Sequence, residues 1–180
     1  MMKKILAISG SNSKSSINKE FATYIASQIA DTEVTVLNWE NIVLPLFGVD
    51  AEKEQDIPQP AYDFLTMIKE ADAIVLSVAE HNGQITAAFK NLWDWTSRLE
   101  QKLWMNKPMF LAATSPGGRG AKSAFDIMKT ILPHYGGNIV ASMTLPLFYE
   151  NLQEDSIQDI DKQSELLKQL ELLTKAMLSN

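Results

Sequence analysis

Five short apolar runs, separated by longer segments of helical period, limit this chain to a narrow set of folds. The run at 73–78 (AIVLSV) is apolar except for one serine, which is typical of a strand buried on both faces of a sheet. Helical period is clearest at 18–30, where Phe21, Ile25 and Ile29 recur every four residues. Because parallel strands must be joined by crossover helices, this alternation predicts an α/β fold with a parallel sheet.

The predicted elements account for the chain as one domain, residues 1–180. The link at 44–60 is expected to be irregular because it contains Pro45, Pro58 and Pro60. Five strands with five helices predict a three-layer sandwich around a five-stranded parallel sheet, and the length favours the flavodoxin-like strand order 2-1-3-4-5. Strands are predicted at 3–9, 33–38, 73–78, 108–114 and 139–145, and helices at 18–30, 61–71, 86–98, after Gly120 to near Pro133, and at 156–178.

Composition excludes several classes of function. The chain has no cysteine, so it has neither disulfides nor a thiol nucleophile. Its 16 Lys and Arg residues form no basic stripe and are outnumbered by 22 Asp and Glu residues, which argues against a nucleic-acid partner. It lacks the apolar run of a secretory signal or a membrane span, and no His, Asp or Glu cluster has metal-ligand spacing. We therefore expect a cytoplasmic protein without a metal site or membrane insertion.

The predicted strand order also predicts where a ligand binds. Strands 1, 3 and 4 are neighbours in that order, and ligands of such sheets bind beyond the carboxyl ends of the strands, where the order reverses. The loops that leave these three strands, at 10–17, 79–85 and 115–120, are also the segments of most unusual composition.

The first of these loops is predicted to hold an anion. It places several hydroxyl groups before a helix whose first N–H groups have no partner within the helix. The alternative is a simple helix cap, for which one serine would suffice. The loop has neither the Gly-Lys-Ser/Thr of a Walker loop nor the Gly-x-Gly-x-x-Gly of a dinucleotide fold, so the phosphate of a mononucleotide is the best fit. The residues concerned are Ser11, Ser13, Ser15, Ser16, Ile17 and Asn18.

Each of the three loops carries a motif. The first is GSNSKSSIN at 10–18, the second is AEHN at 79–82 followed by KNLWDW at 90–95, and the third is TSPGGRG at 114–120. In this order, over about residues 3–145, they resemble the motifs of the NADPH-dependent FMN reductase family, which includes azoreductase, chromate reductase and quinone reductase relatives. Three positions depart from the family's pattern: Ser13 stands in place of Arg, Ala79 in place of Pro, and His81 in place of Tyr.

The resemblance implies a bound FMN that all three loops contact. Glycines of the second and third loops would let backbone approach the flavin ring, and ordinary turn chemistry is the alternative explanation for them. Arg119 would attract the phosphates of NADPH or remain a solvated loop residue. His81, a weak catalytic candidate, would stack on the ring, assist protonation or have no task. The implied cofactor-binding residues are Ser11, Ser13, Ser15, Ser16, Ile17, Asn18, Ala79, Glu80, His81, Asn82, Gly83, Ser115, Gly117, Gly118 and Arg119.

The resemblance also implies an enzyme. Hydride would pass from NADPH or NADH through bound FMN to a quinone, an azo compound, a flavin or a similar small acceptor, so the chemistry would rest on the cofactor. The alternatives are a flavodoxin-type electron carrier that does not oxidise NAD(P)H, and a relative that has lost its flavin. Because subunits of this family pair, a homodimer or homotetramer is expected, with Trp93, Trp95 and Trp104 either at the interface or in the core.

Overall fold

The computed structural model describes residues 2–154 and 156–179, and its centre is a five-stranded parallel sheet. The sheet has the order β2-β1-β3-β6-β7. This is the predicted order 2-1-3-4-5, because β4 and β5 form a small antiparallel hairpin outside the sheet. The strands are β1 (Lys3–Ser9), β2 (Thr32–Val36), β3 (Ala73–Val78), β4 (Glu80–His81), β5 (Gln84–Ile85), β6 (Pro108–Thr114), β7 (Asn138–Leu145), β8 (Leu152–Gln153) and β9 (Ser156–Ile157).

Helices connect the strands and cover both faces of the sheet. They are α1 (Ile17–Ser27), α2 (Val49–Glu54), α3 (Gln59–Glu70), α4 (Ala87–Ser97), α5 (Lys122–Ile131), α6 (Phe148–Asn151) and α7 (Ile160–Leu178), with 3₁₀ turns at Trp39–Asn41 and Leu132–Tyr135. None of these helices, in the part of the chain that the structure describes, is long and apolar enough to cross a lipid bilayer.

Several predicted bounds are wrong, such as the end of the helix predicted at 18–30, which lies at Ser27; two of the errors hide short elements. The link at 44–60 is not irregular throughout, because Val49–Glu54 forms α2 between the prolines. The last helix begins at Ile160 rather than at Ser156, since Ser156–Ile157 pairs with Leu152–Gln153 and the Asp159 carboxylate then caps α7. Both errors fall on short elements that apolar periodicity does not reveal.

The core lies in two layers, one on each face of the sheet, as a three-layer sandwich requires. Side chains of β1 alternate between them. Leu6 and Ile8 face the layer that contains α3, α4 and α5, whereas Ile5 and Ala7 face the layer that contains α1 and α7. The predicted α/β sandwich is therefore confirmed, and its two covered faces leave the ends of the strands for a binding site.

The tryptophans that follow the second loop belong to the core and not to a subunit interface. Trp95 and Trp104 are 0% exposed and Trp93 is 6% exposed within the single chain. Trp93 makes edge-to-face contacts with Trp104 and with Tyr135. The interface interpretation of these three residues is wrong, because their side chains have no surface left to offer a partner.

Asp72 ties the start of β1 to the turn before β3, and this generates a pH-dependent prediction. Its carboxylate accepts the Lys4 N–H at 2.8 Å and the Lys3 ammonium at 3.1 Å. The Lys4 N–H is the main cause that lowers the Asp72 pKa below its ordinary value of 3.8; burial, the next effect, opposes it, and the Lys3 ammonium lowers the pKa further. We expect Asp72→Asn to lower the free energy of unfolding by about 1 kcal/mol near pH 7, discounted for the partial exposure of the pair.

The sign of the pH dependence follows from the lowered pKa. Stability from a depressed carboxyl pKa is fully present above the unfolded-state value and is lost as pH falls through the folded-state value. The difference between Asp72→Asn and the parent, measured by urea denaturation, should therefore be constant from about pH 7 to about pH 5 and shrink below about pH 4. A difference that grows on acidification would contradict this account.

Candidate functional site

The three predicted loops meet at the carboxyl ends of β1, β3 and β6, where they surround an open cavity of about 250 Å³. We call it the flavin cavity, because the family resemblance of the three loops implies an FMN bound between them. Thr114, Pro116 and Tyr149 complete its wall. Ten of the residues predicted to bind the cofactor line it: Ser11, Ser13, Ser15, Ser16, Ile17, Asn18, Ala79, Glu80, His81 and Ser115.

Asn18 lies at the centre of the floor and joins three elements. Its side-chain oxygen accepts the Ser77 hydroxyl at 2.8 Å and the Thr114 N–H at 3.2 Å, and its side-chain nitrogen donates to the Thr114 carbonyl at 3.2 Å. Asn18 is 4% exposed. Its amide group is thus used to fix α1 against the ends of β3 and β6, so a ligand would meet its backbone rather than its side chain.

The serines of the first loop divide into two groups. Ser16 caps α1 by accepting the Lys19 N–H, and its hydroxyl is 2.9 Å from that of Ser9. Ser11 accepts the Ser13 N–H at 3.2 Å. Ser13 and Ser15 are exposed at the cavity wall. The helix-cap interpretation therefore accounts for Ser16, while the hydroxyls of Ser13 and Ser15 remain accessible to an anion.

Gly10 explains why the first motif begins with glycine. A Cβ at this position would lie 3.0 Å from the Val78 Cα and 3.1 Å from the Ala79 nitrogen, so the backbone of the neighbouring strand would have to move by a few tenths of an ångström. The Gly10 carbonyl also accepts the hydroxyl of Thr86, the residue that caps α4, at 2.6 Å. The first and second loops are consequently packed backbone to backbone.

The second loop is a β-hairpin whose tip lies outside the cavity wall. Asn82 and Gly83 have φ values of 51° and 77° between the paired residues of β4 and β5. Two consecutive left-handed residues are the requirement of a type I′ hairpin turn, for which Asn-Gly is the preferred sequence. Turn chemistry therefore accounts for Gly83, and His81 is the exposed side chain that this hairpin brings to the cavity.

Glu80 connects the second loop to α5, the helix that follows the third loop. Its carboxylate accepts the Ala124 N–H at 3.0 Å, in the first turn of α5. The residue at the N-cap of α5 is Ala121, which has no capping side chain and adopts a left-handed backbone. Glu80 thus supplies from a distance both a hydrogen-bond acceptor and the negative charge that a helix N-terminus favours.

The third loop places only its first residues in the wall. Ser115 and Pro116 line the cavity, whereas Gly117, Gly118 and Arg119 lie outside it, and Arg119 donates to the Ser123 hydroxyl at 2.9 Å. Gly117 and Gly118 have open space where a Cβ would be. Their backbone is therefore accessible to a ligand that extends beyond the cavity, although the loop itself does not require glycine there.

Tyr149 is a wall residue that sequence reasoning missed. It lies in α6, directly after β7, and is 65% exposed. The carboxyl end of β7 lies at the same edge of the sheet as those of β1, β3 and β6, so the loop after the fifth strand was the available signal. It was overlooked because the sequence there, LPLFYEN, has none of the glycine or serine enrichment of the other loops.

The flavin cavity contains polar groups but no strong cation. Within residues 2–154 and 156–179, no lysine or arginine lines it, and His81 is the basic side chain in its wall. Hydroxyl groups and the N–H groups at the start of α1 are therefore what it offers to an anion. Among the described residues, no group of three or more His, Asp or Glu side chains is arranged to hold a metal ion.

The sequence at 3–149 matches the family model described as NADPH-dependent FMN reductase. The chain belongs to this family. It is 32% identical over 125 residues to 2-hydroxy-1,4-benzoquinone reductase from Burkholderia sp, covering 69% of this chain and 67% of that protein. It is 30% identical over 137 residues to NADPH azoreductase from Bacillus sp. (strain OY1-2), covering 76% and 72%. The predicted family and the predicted class of enzyme are confirmed.

A solved structure shows the same fold. FerB, a flavoenzyme NAD(P)H:(acceptor) oxidoreductase from Paracoccus denitrificans, superposes with a TM-score of 0.76 at 24% identity, covering 98% of both chains. This likeness shows the fold alone, with the same overall architecture in both chains. The individual cofactor-binding residues remain predictions.

The Asn18 contacts generate a test of the site's floor. We expect Asn18→Ala to lower the free energy of unfolding by about 3 kcal/mol, because it leaves the Ser77 hydroxyl and both backbone groups of Thr114 buried without their partner. Asn12→Ala, at an exposed position of the same loop, should change stability by less than about 0.5 kcal/mol. Urea denaturation measures both, and equal effects would mean that Asn18 is not the residue that joins these elements.

Proposed function

We propose that this chain is an FMN-dependent NAD(P)H oxidoreductase that reduces a quinone, an azo compound or a similar small aromatic acceptor in the cytoplasm. The observation that carries the proposal is the single cavity in which all three family motifs meet, at the reversal point of the strand order. The similarity to a benzoquinone reductase and an azoreductase supports this choice of acceptor.

The residues present fit the phosphate of FMN. The first turn of α1 offers free N–H groups and the positive end of a helix dipole, next to the exposed hydroxyls of Ser13 and Ser15. The cavity floor is preorganised, since Asn18 and Ser16 are already held by hydrogen bonds. We propose that Ser13, Ser15 and the backbone of residues 15–18 bind the phosphate.

The flavin ring is proposed to lie between the β4–β5 hairpin and the 115–118 loop. Ala79, His81 and Pro116 line this side of the cavity, and the open space at Gly117 and Gly118 lets their backbone approach a flat ring. Glu80 ties the hairpin to α5, the helix that follows the 115–118 loop, through its contact with Ala124. These residues orient the ring and leave one side of the open cavity for NAD(P)H and then for the acceptor.

Bound FMN supplies the capacity to take hydride from NAD(P)H and give it to the acceptor, so the protein needs no nucleophile. His81 is an exposed basic side chain in the wall. We propose that it donates a proton to the reduced acceptor, and that N–H groups of the hairpin stabilise negative charge at the ring edge.

Anaerobic reduction separates this enzyme from an electron carrier. When the protein is reconstituted with FMN, NADPH should bleach the visible flavin absorbance rapidly, because hydride transfer requires only stacked contact with an accessible ring. Bleaching by dithionite alone would instead favour a flavodoxin-type carrier. Equilibrium dialysis without FMN retention would favour a relative that has lost its flavin.

We further propose that the chain forms a homo-oligomer, a homodimer or homotetramer, through the apolar segment at 42–49. Val43, Leu46 and Val49 in this segment are 82%, 81% and 63% exposed. The segment is nevertheless held firmly, since the Pro45 carbonyl accepts both the Asn91 amide and the Trp95 indole N–H. A rigid apolar patch on the surface is typical of a subunit interface.

Two substitutions test this interface. Val43→Ser with Leu46→Ser should reduce the molar mass measured by light scattering after gel filtration, because both remove exposed apolar surface without touching the contacts of Pro45. Ile160→Ser is the matched control, since Ile160 is 84% exposed at the start of α7. A parent protein with the mass of one chain, or a double variant with unchanged mass, would contradict the proposal.

A further inference from the structure

A second and larger cavity adjoins the flavin cavity. It has a volume of about 730 Å³ and runs along the outer side of α1, between that helix and the segment at 149–154. We call it the α1 groove. Its wall shares Ser15, Ser16, Ile17 and Tyr149 with the flavin cavity. The two cavities therefore meet at the first turn of α1, where the flavin phosphate is proposed to bind, and a ligand can extend from one into the other.

The lysines of this region line the groove and not the flavin cavity. Lys14 and Lys19 are part of the groove wall, and neither forms an ion pair within the described residues 2–154 and 156–179. The flavin cavity has no lysine or arginine in its wall. Positive charge is thus available to a second phosphate that lies in the groove.

The charge of the ligand's phosphate groups also favours a pyrophosphate over a terminal phosphate at this site. The terminal phosphate of FMN carries a charge of about −1.5 to −2 near neutral pH, and a wall without cations must stabilise all of it. In a pyrophosphate diester each phosphate carries a single negative charge. Its inner phosphate therefore needs less stabilisation from the flavin cavity, while its outer phosphate lies where Lys14 and Lys19 can reach it.

The rest of the groove suits an adenosine group. Tyr149 presents a ring that is 65% exposed, and an aromatic face of this kind stacks with purines. Glu20 and Glu154 also line the groove, and carboxylates accept hydrogen bonds from ribose hydroxyls. The same carboxylates would repel the 2′-phosphate of NADPH.

We propose that the α1 groove binds the adenylate half of FAD, so that this chain takes FAD as well as FMN. The proposal rests on the proposed function, because it assumes that the flavin phosphate lies on the first turn of α1. The ligand chemistry is an adenosine joined through a pyrophosphate to a flavin. Lys14 and Lys19 would bind the outer phosphate, and Tyr149 would bind the adenine.

A competition experiment tests the proposal on the full chain. The protein is equilibrated with an equimolar mixture of FMN and FAD, separated from free flavin by gel filtration, and its bound flavins are quantified by chromatography. We expect bound FAD to equal or exceed bound FMN in the parent. In Lys14→Gln with Lys19→Gln, the ratio of FAD to FMN should fall at least about fivefold, since only FAD has the outer phosphate.

The control is Lys168→Gln with Lys175→Gln, which makes the same charge change at exposed positions of α7 and should leave the ratio within about twofold. A parent that binds FMN in excess over FAD, or a groove variant whose ratio falls less than the stated amount, overturns the proposal and leaves the FMN site intact. A protein that retains neither flavin overturns the proposed function as well.

The adenylate of NAD(P)H is the other possible source of this chemistry. If it occupied the groove, Lys14→Gln with Lys19→Gln would raise the KM for NADH, which lacks the 2′-phosphate, or for NADPH, and would leave the ratio of bound flavins unchanged. We expect the reverse, with a changed flavin ratio and KM values for NADH and NADPH within about twofold of the parent.

Discussion

The buried amide of Asn18 is the interaction on which the site depends. Parallel strands end at one edge of the sheet with backbone groups that no further strand can satisfy. Asn18 satisfies both backbone groups of Thr114 and the hydroxyl of Ser77 with one side chain. Because the same residue belongs to the first turn of α1, these bonds fix the N-terminus of that helix relative to β3 and β6. The position of the proposed phosphate site is thus a consequence of how the strand ends are satisfied.

Several residues of the family motifs therefore serve the architecture and affect a ligand only through it. Asn91 and Trp95, from the motif in α4, donate to the Pro45 carbonyl and so hold the link that follows β2. Asn91 also accepts the Phe47 N–H at 2.8 Å. Lys90 and Asp94 form an ion pair on the same helix. Asn91 and Trp95 are therefore explained by the link that they anchor, because this irregular segment has few backbone hydrogen bonds of its own.

The parts of the fold that could be predicted from the sequence are those with strong periodicity or a cap. β1, β3 and β6 have the predicted bounds, because each contains a run of apolar side chains that a strand buried on both faces needs. α4 begins after Thr86, whose side chain caps the helix. A threonine directly before a helical pattern predicts such a start. α2 and the β8–β9 pair were missed because short elements are stabilised by contacts outside themselves. The same reason applies to Glu80, whose role as the cap of α5 depends on a residue 44 positions away.

The wall of the flavin cavity contains polar residues of two kinds, those that hold the fold together and those that can bind an anion. Residue type alone does not distinguish the two. Serine and asparagine in the first loop predict phosphate ligands, and the same residue types cap helices and satisfy strand ends. In the structure Ser16 and Asn18 are used in the second way, which leaves Ser13, Ser15 and backbone N–H groups for the anion. An anion site built from neutral donors carries no net positive charge, and the chain around it has a formal charge of -6. Such a site suits a ligand whose phosphate carries a low negative charge, or one that also reaches a cation nearby. Lys14 and Lys19, in the wall of the adjoining α1 groove, are where such a cation lies.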